Sequence, residues 1–246
     1  MHKLSIDCCE PLWIELVGPA GSGKSTIIRR VVEEIGGAEV SCDYLGVLNK
    51  TGFFIETTGD ILSTLGWRTW RKFGWRKRWS RYKRVSGGLL HMRQLSSGVA
   101  LVDEGPIRTL ADKAIYGDAM KIYWENYCSK TIDAIIHSCT SRILIVKISV
   151  DEKTRFERRK IRNTSKEASL EGFKTWGDWQ RRANKKQSHG TMRDSVMEEL
   201  GRRMGTRFIY HEVDGARDLS VVSSEVVSLI RKHCGREEAA GKAADG

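Results

Sequence analysis

Leu12-Trp13-Ile14-Glu15-Leu16-Val17-Gly18-Pro19-Ala20-Gly21-Ser22-Gly23-Lys24-Ser25-Thr26 is the stretch whose reading decides the fold. Leu12–Val17 is an apolar run of strand length, and Lys24–Ile35 has helical spacing with Gly36-Gly37 as its stop signal. Between them Gly18–Ser25 fits G-x-x-x-x-G-K-[ST] in full. The glycines of such a turn let backbone N–H groups point inward around phosphate oxygens, and the helix N-terminus adds its positive dipole. There Lys24 is expected to reach the β- and γ-phosphates, and the Ser25 hydroxyl to hold Mg2+. The expected cradle is Gly18, Pro19, Ala20, Gly21, Ser22, Gly23, Lys24, Ser25 and Thr26, and the expected ligand is a nucleoside triphosphate, ATP, with Mg2+.

Outward from this core, apolar runs alternate with helical stretches, the pattern of a parallel sheet with crossover helices. Further strands are predicted at Glu39–Cys42, Val99–Val102, Ile143–Val150 and Phe208–Val213, and a last helix at Val221–Arg231. Two long polar stretches interrupt the pattern, Thr51–Leu95 and Asn163–Thr206. In a domain built on a sheet such insertions are expected to bind ligands or act as lids. Residues 1–235 are read as one domain, followed by a disordered tail at 236–246 that is rich in Ala, Gly and charge.

Val99-Ala100-Leu101-Val102-Asp103-Glu104 is an apolar strand ending in carboxylates, the expected partner of the phosphate loop. Asp103 is expected to order the Mg2+ shell, with Glu104 as the alternative. A GTPase would need an N-K-x-D base reader, and Asn49-Lys50-Thr51-Gly52 lacks the aspartate. A transporter-type ATPase is disfavoured on similar grounds. Ser86-Gly87-Gly88 precedes Asp103-Glu104-Gly105-Pro106, but Leu89 stands where that signature needs glutamine, and no glutamine loop or histidine switch completes the set.

What remains resembles the nucleotide and small-molecule kinases of the P-loop class, which include thymidylate, deoxynucleoside and adenylylsulfate kinases. The resemblance covers roughly residues 12–232 and rests on four features. Strand one runs into Gly18–Ser25; strand two ends at Cys42-Asp43-Tyr44, where this group often places an acceptor-binding acid; Asp151–Arg162 looks like the helix leading to an arginine-bearing lid; and His211–Gly215 looks like the strand and loop that pass the adenine ring. The resemblance implies a three-layer α/β/α fold with five parallel strands in the order 2-3-1-4-5. It implies ATP- and Mg2+-dependent phosphoryl transfer, with Asp43 or Glu104 orienting or deprotonating the acceptor. Related kinases carry an arginine directly after the acid that ends strand three; here Gly105-Pro106 follow, and the nearest arginine is Arg108.

Arg155, Arg158, Arg159 and Arg162 fall on one helical stripe, and arginines closing over a γ-phosphate stabilise its transfer. Arg158 and Arg162 are the preferred candidates, against a solvated basic face. Trp67–Arg84 interleaves basic residues with Trp67, Trp70, Phe73, Trp75, Trp79 and Tyr82, and no Asp or Glu occurs between Asp60 and Asp103. Four readings stay open for this tract: a bulky anionic acceptor, an anionic membrane surface, nucleic acid, or plain packing under solvated arginines. Trp176 and Trp179 are read as packing residues that could line the same pocket.

The net charge of +11 calls for an anionic partner without saying which. Mean hydropathy is −0.41, and no apolar run nears the roughly 18 residues that span a bilayer. Six cysteines form no C-x-x-C pair, and Cys8-Cys9 has no further metal ligands nearby. A reduced, cytoplasmic protein is expected, with a peripheral membrane position left open. The alternatives to a kinase are an ATPase coupled to an anionic macromolecule and a nucleotide-binding regulator. The sequence carries no indication of the oligomeric state.

Overall fold

Every residue of β1, Leu12–Val17, is buried. A strand covered on both faces is what an unbroken apolar run is for. Successive side chains point to opposite sides. Leu12, Ile14 and Leu16 join one hydrophobic cluster with Ile27, Ile28, Val31 and Ile35 of α1, Lys24–Ile35, and with Val222, Val226, Val227 and Ile230 of the last helix. Trp13 and Val17 join a second cluster with Ile107, Leu110, Ile135, Val196 and Leu200. The result is helices, sheet, helices: the three layers expected. Each fully buried aliphatic side chain in these clusters contributes about 1.5–3 kcal/mol.

The computed structural model describes residues 10–19, 21–35, 38–39, 85, 87–89, 91–103, 105–111, 132–137, 139–164, 176–177 and 189–234, with backbone alone at 38–39, 111, 159, 161–164 and 189–194. After α1 come β2, Ala38–Glu39; β3, Val99–Asp103; α2, Pro106–Ala111; β4, Arg142–Ser149; α3, Glu152–Thr164; α4, His189–Met204; β5, Phe208–Asp214; and α5, Leu219–His233. Residues 85, 87–89, 91–94 and 132–137 are also helical.

The sheet is parallel in the order β2-β3-β1-β4-β5, as the resemblance implied. Four full strands carry it. Among the described residues the fifth, β2, contributes the pairs Ala38↔Ala100 and Glu39↔Leu101 at the edge. The expected span was Glu39–Cys42, of which residues 40–42 lie outside the described residues. Elsewhere the strands agree with expectation to within a residue at each end, and α5 extends two residues further each way. Helix α3 begins one residue late because Asp151 serves as its cap, accepting from Thr154 N at 2.9 Å.

One expectation about the cysteines fails. Cys139 is free and buried, but Cys234, at the C-terminal end of α5, is disulfide-bonded. A chain of this length does not need a disulfide for stability, yet that does not keep two thiols apart once folding has brought them together. Among the described residues no helix is long and apolar enough to cross a membrane.

Candidate functional site

All five strands run the same way, so their carboxyl ends share one edge, the place where open α/β sheets bind ligands. Four segments meet there: the loop after β1, the end of β3, the β4–α3 connection and the β5–α5 connection.

The loop after β1 turns sharply on its glycines. Gly21 and Gly23 have φ of 89° and 88°, a region that favours glycine because it lacks a Cβ. Space is short as well: a Cβ on Gly18 would lie 2.6 Å from the Ile148 carbonyl oxygen, and one on Gly23 2.8 Å from Leu219. Helix α1 starts at once, with Thr26 and Ile27 N–H both donating to Gly23 O at 3.0 Å. Lys24 is buried, and its ammonium donates to Gly18 O at 2.8 Å, Pro19 O at 3.0 Å and Ser22 Oγ at 3.4 Å. The cation is thus held inside the loop with its charge solvated by loop oxygens.

Strand alternation places Asp103 on the α1 side of the sheet, where Val99 and Leu101 pack with Leu12, Ile14 and Leu16. Register sets Asp103 beside Leu16 of β1. From there its Oδ2 accepts from Ser25 Oγ at 2.9 Å, and its Oδ1 pairs with Arg108 Nη1 at 3.0 Å. A hydroxyl and a carboxylate this close are hard oxygen donors suited to Mg2+, which characteristically takes one or two protein ligands and fills its shell with substrate phosphates and water. Among the described residues there is no group of three or more His, Cys, Asp or Glu side chains placed to hold a metal ion.

Arg158 lies beside the loop: its Nη1 would stand 4.0 Å from a Cβ on Gly23. Its donors, however, face Gly215 O at 2.8 Å and Arg217 O at 3.4 Å, so it ties α3 to the β5–α5 connection. That connection presses on the end of β4, with Gly215 N donating to Ser149 O at 2.7 Å and no room for a Cβ beside Ile148. Arg155 pairs with Glu152. Phe156 meets Trp176 edge to face at 5.4 Å, the packing role expected of Trp176.

Of the residues singled out from sequence, the structure brings Lys24, Ser25 and Asp103 together and sets Arg158 alongside. Arg162 belongs to α3, and its side chain is outside the description, as is that of Arg159. Ala20, Asp43, Glu104, Trp179 and the tract Trp67–Arg84 lie outside the described residues.

Sequence reasoning missed Glu15. This residue sits in the middle of β1 with no exposure at all, between Trp13 and Val17 on the face of the second cluster. Its Oε1 accepts from Trp13 Nε1 at 3.0 Å and Ile107 N at 3.2 Å, and its Oε2 accepts from Arg108 N at 2.8 Å. Burial pushes its carboxyl up to about 6, against the pull of these three donors and of the Arg108 charge. A lone glutamate inside an otherwise apolar strand was the available signal.

No protein-family model matches the chain. No curated protein matches it either. Solved structures of deoxyadenosine kinase from M. mycoides are similar to it over 89% of its length. The form with bound dATP has 13% identity, a TM-score of 0.49 and 98% of its own chain covered. The form with bound dCTP has 12% identity, a TM-score of 0.46 and 99% covered. A third, with the products dCMP and a flexible dCDP, has 15% identity and a TM-score of 0.43.

Proposed function

We propose that this chain binds ATP with Mg2+ in the loop after β1 and transfers the γ-phosphoryl group to a hydroxyl or phosphate of a small-molecule acceptor. The observation that supports this most is the contact of Ser25 Oγ with Asp103 Oδ2 at 2.9 Å. Two residues distant in sequence, each expected to serve Mg2+, meet at the mouth of a complete phosphate loop that already contains Lys24.

The chemistry asked of the protein is mostly positioning and charge. Backbone N–H groups of the Gly18–Ser25 loop, except Pro19, which has none, and of the start of α1 would hold the phosphates, and Lys24 would turn from the loop carbonyls to the β- and γ-oxygens. Ser25 and Asp103 would hold Mg2+, which when bound neutralises charge on the phosphate oxygens. Arg158 holds the 215–217 turn against the site, and Arg162 is the further candidate for the lid. Asp43 or Glu104 would orient or deprotonate the acceptor, and the insertion at 51–95 would recognise it. Trp67–Arg84 is the part of that insertion suited to an anionic acceptor.

The test is a screen with γ-labelled ATP and Mg2+ against nucleosides, nucleotides, sugars and lipid phosphates, with release of label to water as the baseline. Label should pass to one acceptor class well above that baseline, and Lys24→Ala should cut transfer by about 100-fold or more. Label released only to water, faster in the presence of anionic vesicles or nucleic acid, would replace the kinase reading with a coupled ATPase.

A further inference from the structure

Glu15 is out of place in β1 by any packing criterion. A hydrocarbon of the same size would fill the position without the penalty of taking a carboxylate out of water. The fold nevertheless supplies three N–H donors for it, two of them from the first turn of α2, at Ile107 and Arg108. Gly105 has been kept clear for it as well: a Cβ there would stand 2.3 Å from the Glu15 carboxyl carbon. The glutamate therefore fixes where α2 begins, and with it where the Arg108 side chain starts.

Arg108 continues the connection. Its guanidinium binds Asp103 Oδ1 at 3.0 Å while Ser25 binds Asp103 Oδ2 at 2.9 Å. Both oxygens of Asp103 are thus engaged, and the carboxylate cannot rotate without breaking one contact. Arg108 is only 14% exposed in its side chain and Asp103 25%, so solvent screens the pair weakly. Groups that orient a metal ligand from behind change metal affinity without touching the metal.

We infer that Glu15 is a positioning residue: through the first turn of α2 and Arg108 it holds Asp103 in the orientation that serves the Ser25–Asp103 metal cradle. The inference rests on the nucleotide reading given above. Its own content is a connection from the buried middle of β1 to the Mg2+ site, running through atoms that touch neither metal nor nucleotide.

The experiment is an equilibrium titration of the purified full chain with ATP carrying a fluorescent methylanthraniloyl group, first in EDTA and then at rising Mg2+. In Glu15→Gln the Mg2+ concentration giving half the metal-dependent tightening should rise about 10-fold, with affinity in EDTA unchanged. Arg108→Met should give a similar rise, and the double variant should be no worse than either single one, because both break one connection. If Glu15→Gln does not fold, Arg108→Met alone decides. An unchanged or lowered Mg2+ half-point in Arg108→Met overturns the inference. So does an equal loss of affinity with and without Mg2+ in Glu15→Gln, which marks a purely structural role. A parent protein that fails to bind the labelled ATP at all overturns the nucleotide reading instead.

Discussion

The two faces of β1 are built on the same alternation and do different work. Leu12, Ile14 and Leu16 present hydrocarbon alone to α1 and α5. Trp13, Glu15 and Val17 present an indole, a carboxylate and a methyl pair to the other layer, and the carboxylate binds the indole N–H and the start of α2. The first face is held by area removed from water, which is non-directional and tolerant of shape change. The second buries its own apolar cluster and adds to it three hydrogen bonds with fixed direction, which fail when any partner is missing. One strand therefore anchors the sheet on one side and sets the geometry of a helix start on the other.

This contrast predicts a difference in pH response. Ile14→Ala should cost about 3 kcal/mol through the lost transfer energy and the cavity left behind, equally at all pH values where the protein is folded. Glu15 behaves otherwise. Its carboxyl is raised from 4.5 to about 6, so its contribution to stability is fully present below the unfolded value and is lost as pH rises through the folded one. Between pH 4.5 and 7 the parent should therefore lose about 1.5 kcal/mol relative to Glu15→Gln. Among the described residues the charged or titratable groups that interact with Glu15 are Arg108 and the thiol of Cys139, which burial pushes up and away from that window. Urea unfolding of the three proteins at the two pH values measures both effects. A parallel pH dependence for the parent and Glu15→Gln would show that the carboxyl is not perturbed and that the two faces differ less than claimed.

The smallest effect expected lies outside both faces. Arg231 and Glu34 approach to 3.5 Å between α5 and α1, both nearly half exposed. Arg231→Ala should change stability by less than about 0.5 kcal/mol at moderate salt, as exposed pairs usually do. A larger loss in urea unfolding would mean that α1 and α5 depend on charge as well as on their shared apolar cluster.

What was legible in the sequence is what is local. Gly18–Ser25 could be read because strand, loop and helix start are contiguous and each residue type has one physical task there. Asp103 stood out because an acid closing an apolar strand is likewise a local pattern, and in the structure it accepts from Ser25 Oγ. The strand order was implied by the resemblance and not by the residues themselves. The task of Glu15 was not legible, since its partners at Ile107 and Arg108 stand 92 and 93 positions away and become neighbours only when β1 and β3 pair. Arg158 shows the same limit. Its helical spacing indicated a stripe of guanidinium groups, but the carbonyls it binds belong to residues 215 and 217, reached across the fold.

The central claim is that the loop after β1 is a nucleotide site, and equilibrium binding tests it most directly. ATP bearing the methylanthraniloyl label should bind the parent protein in the presence of Mg2+, be displaced by unlabelled ATP, and bind Lys24→Ala at least about 100-fold more weakly, while circular dichroism shows the variant folded. Binding to Lys24→Ala with the affinity of the parent would contradict the claim, because the buried ammonium inside the loop would then have no part in holding phosphate.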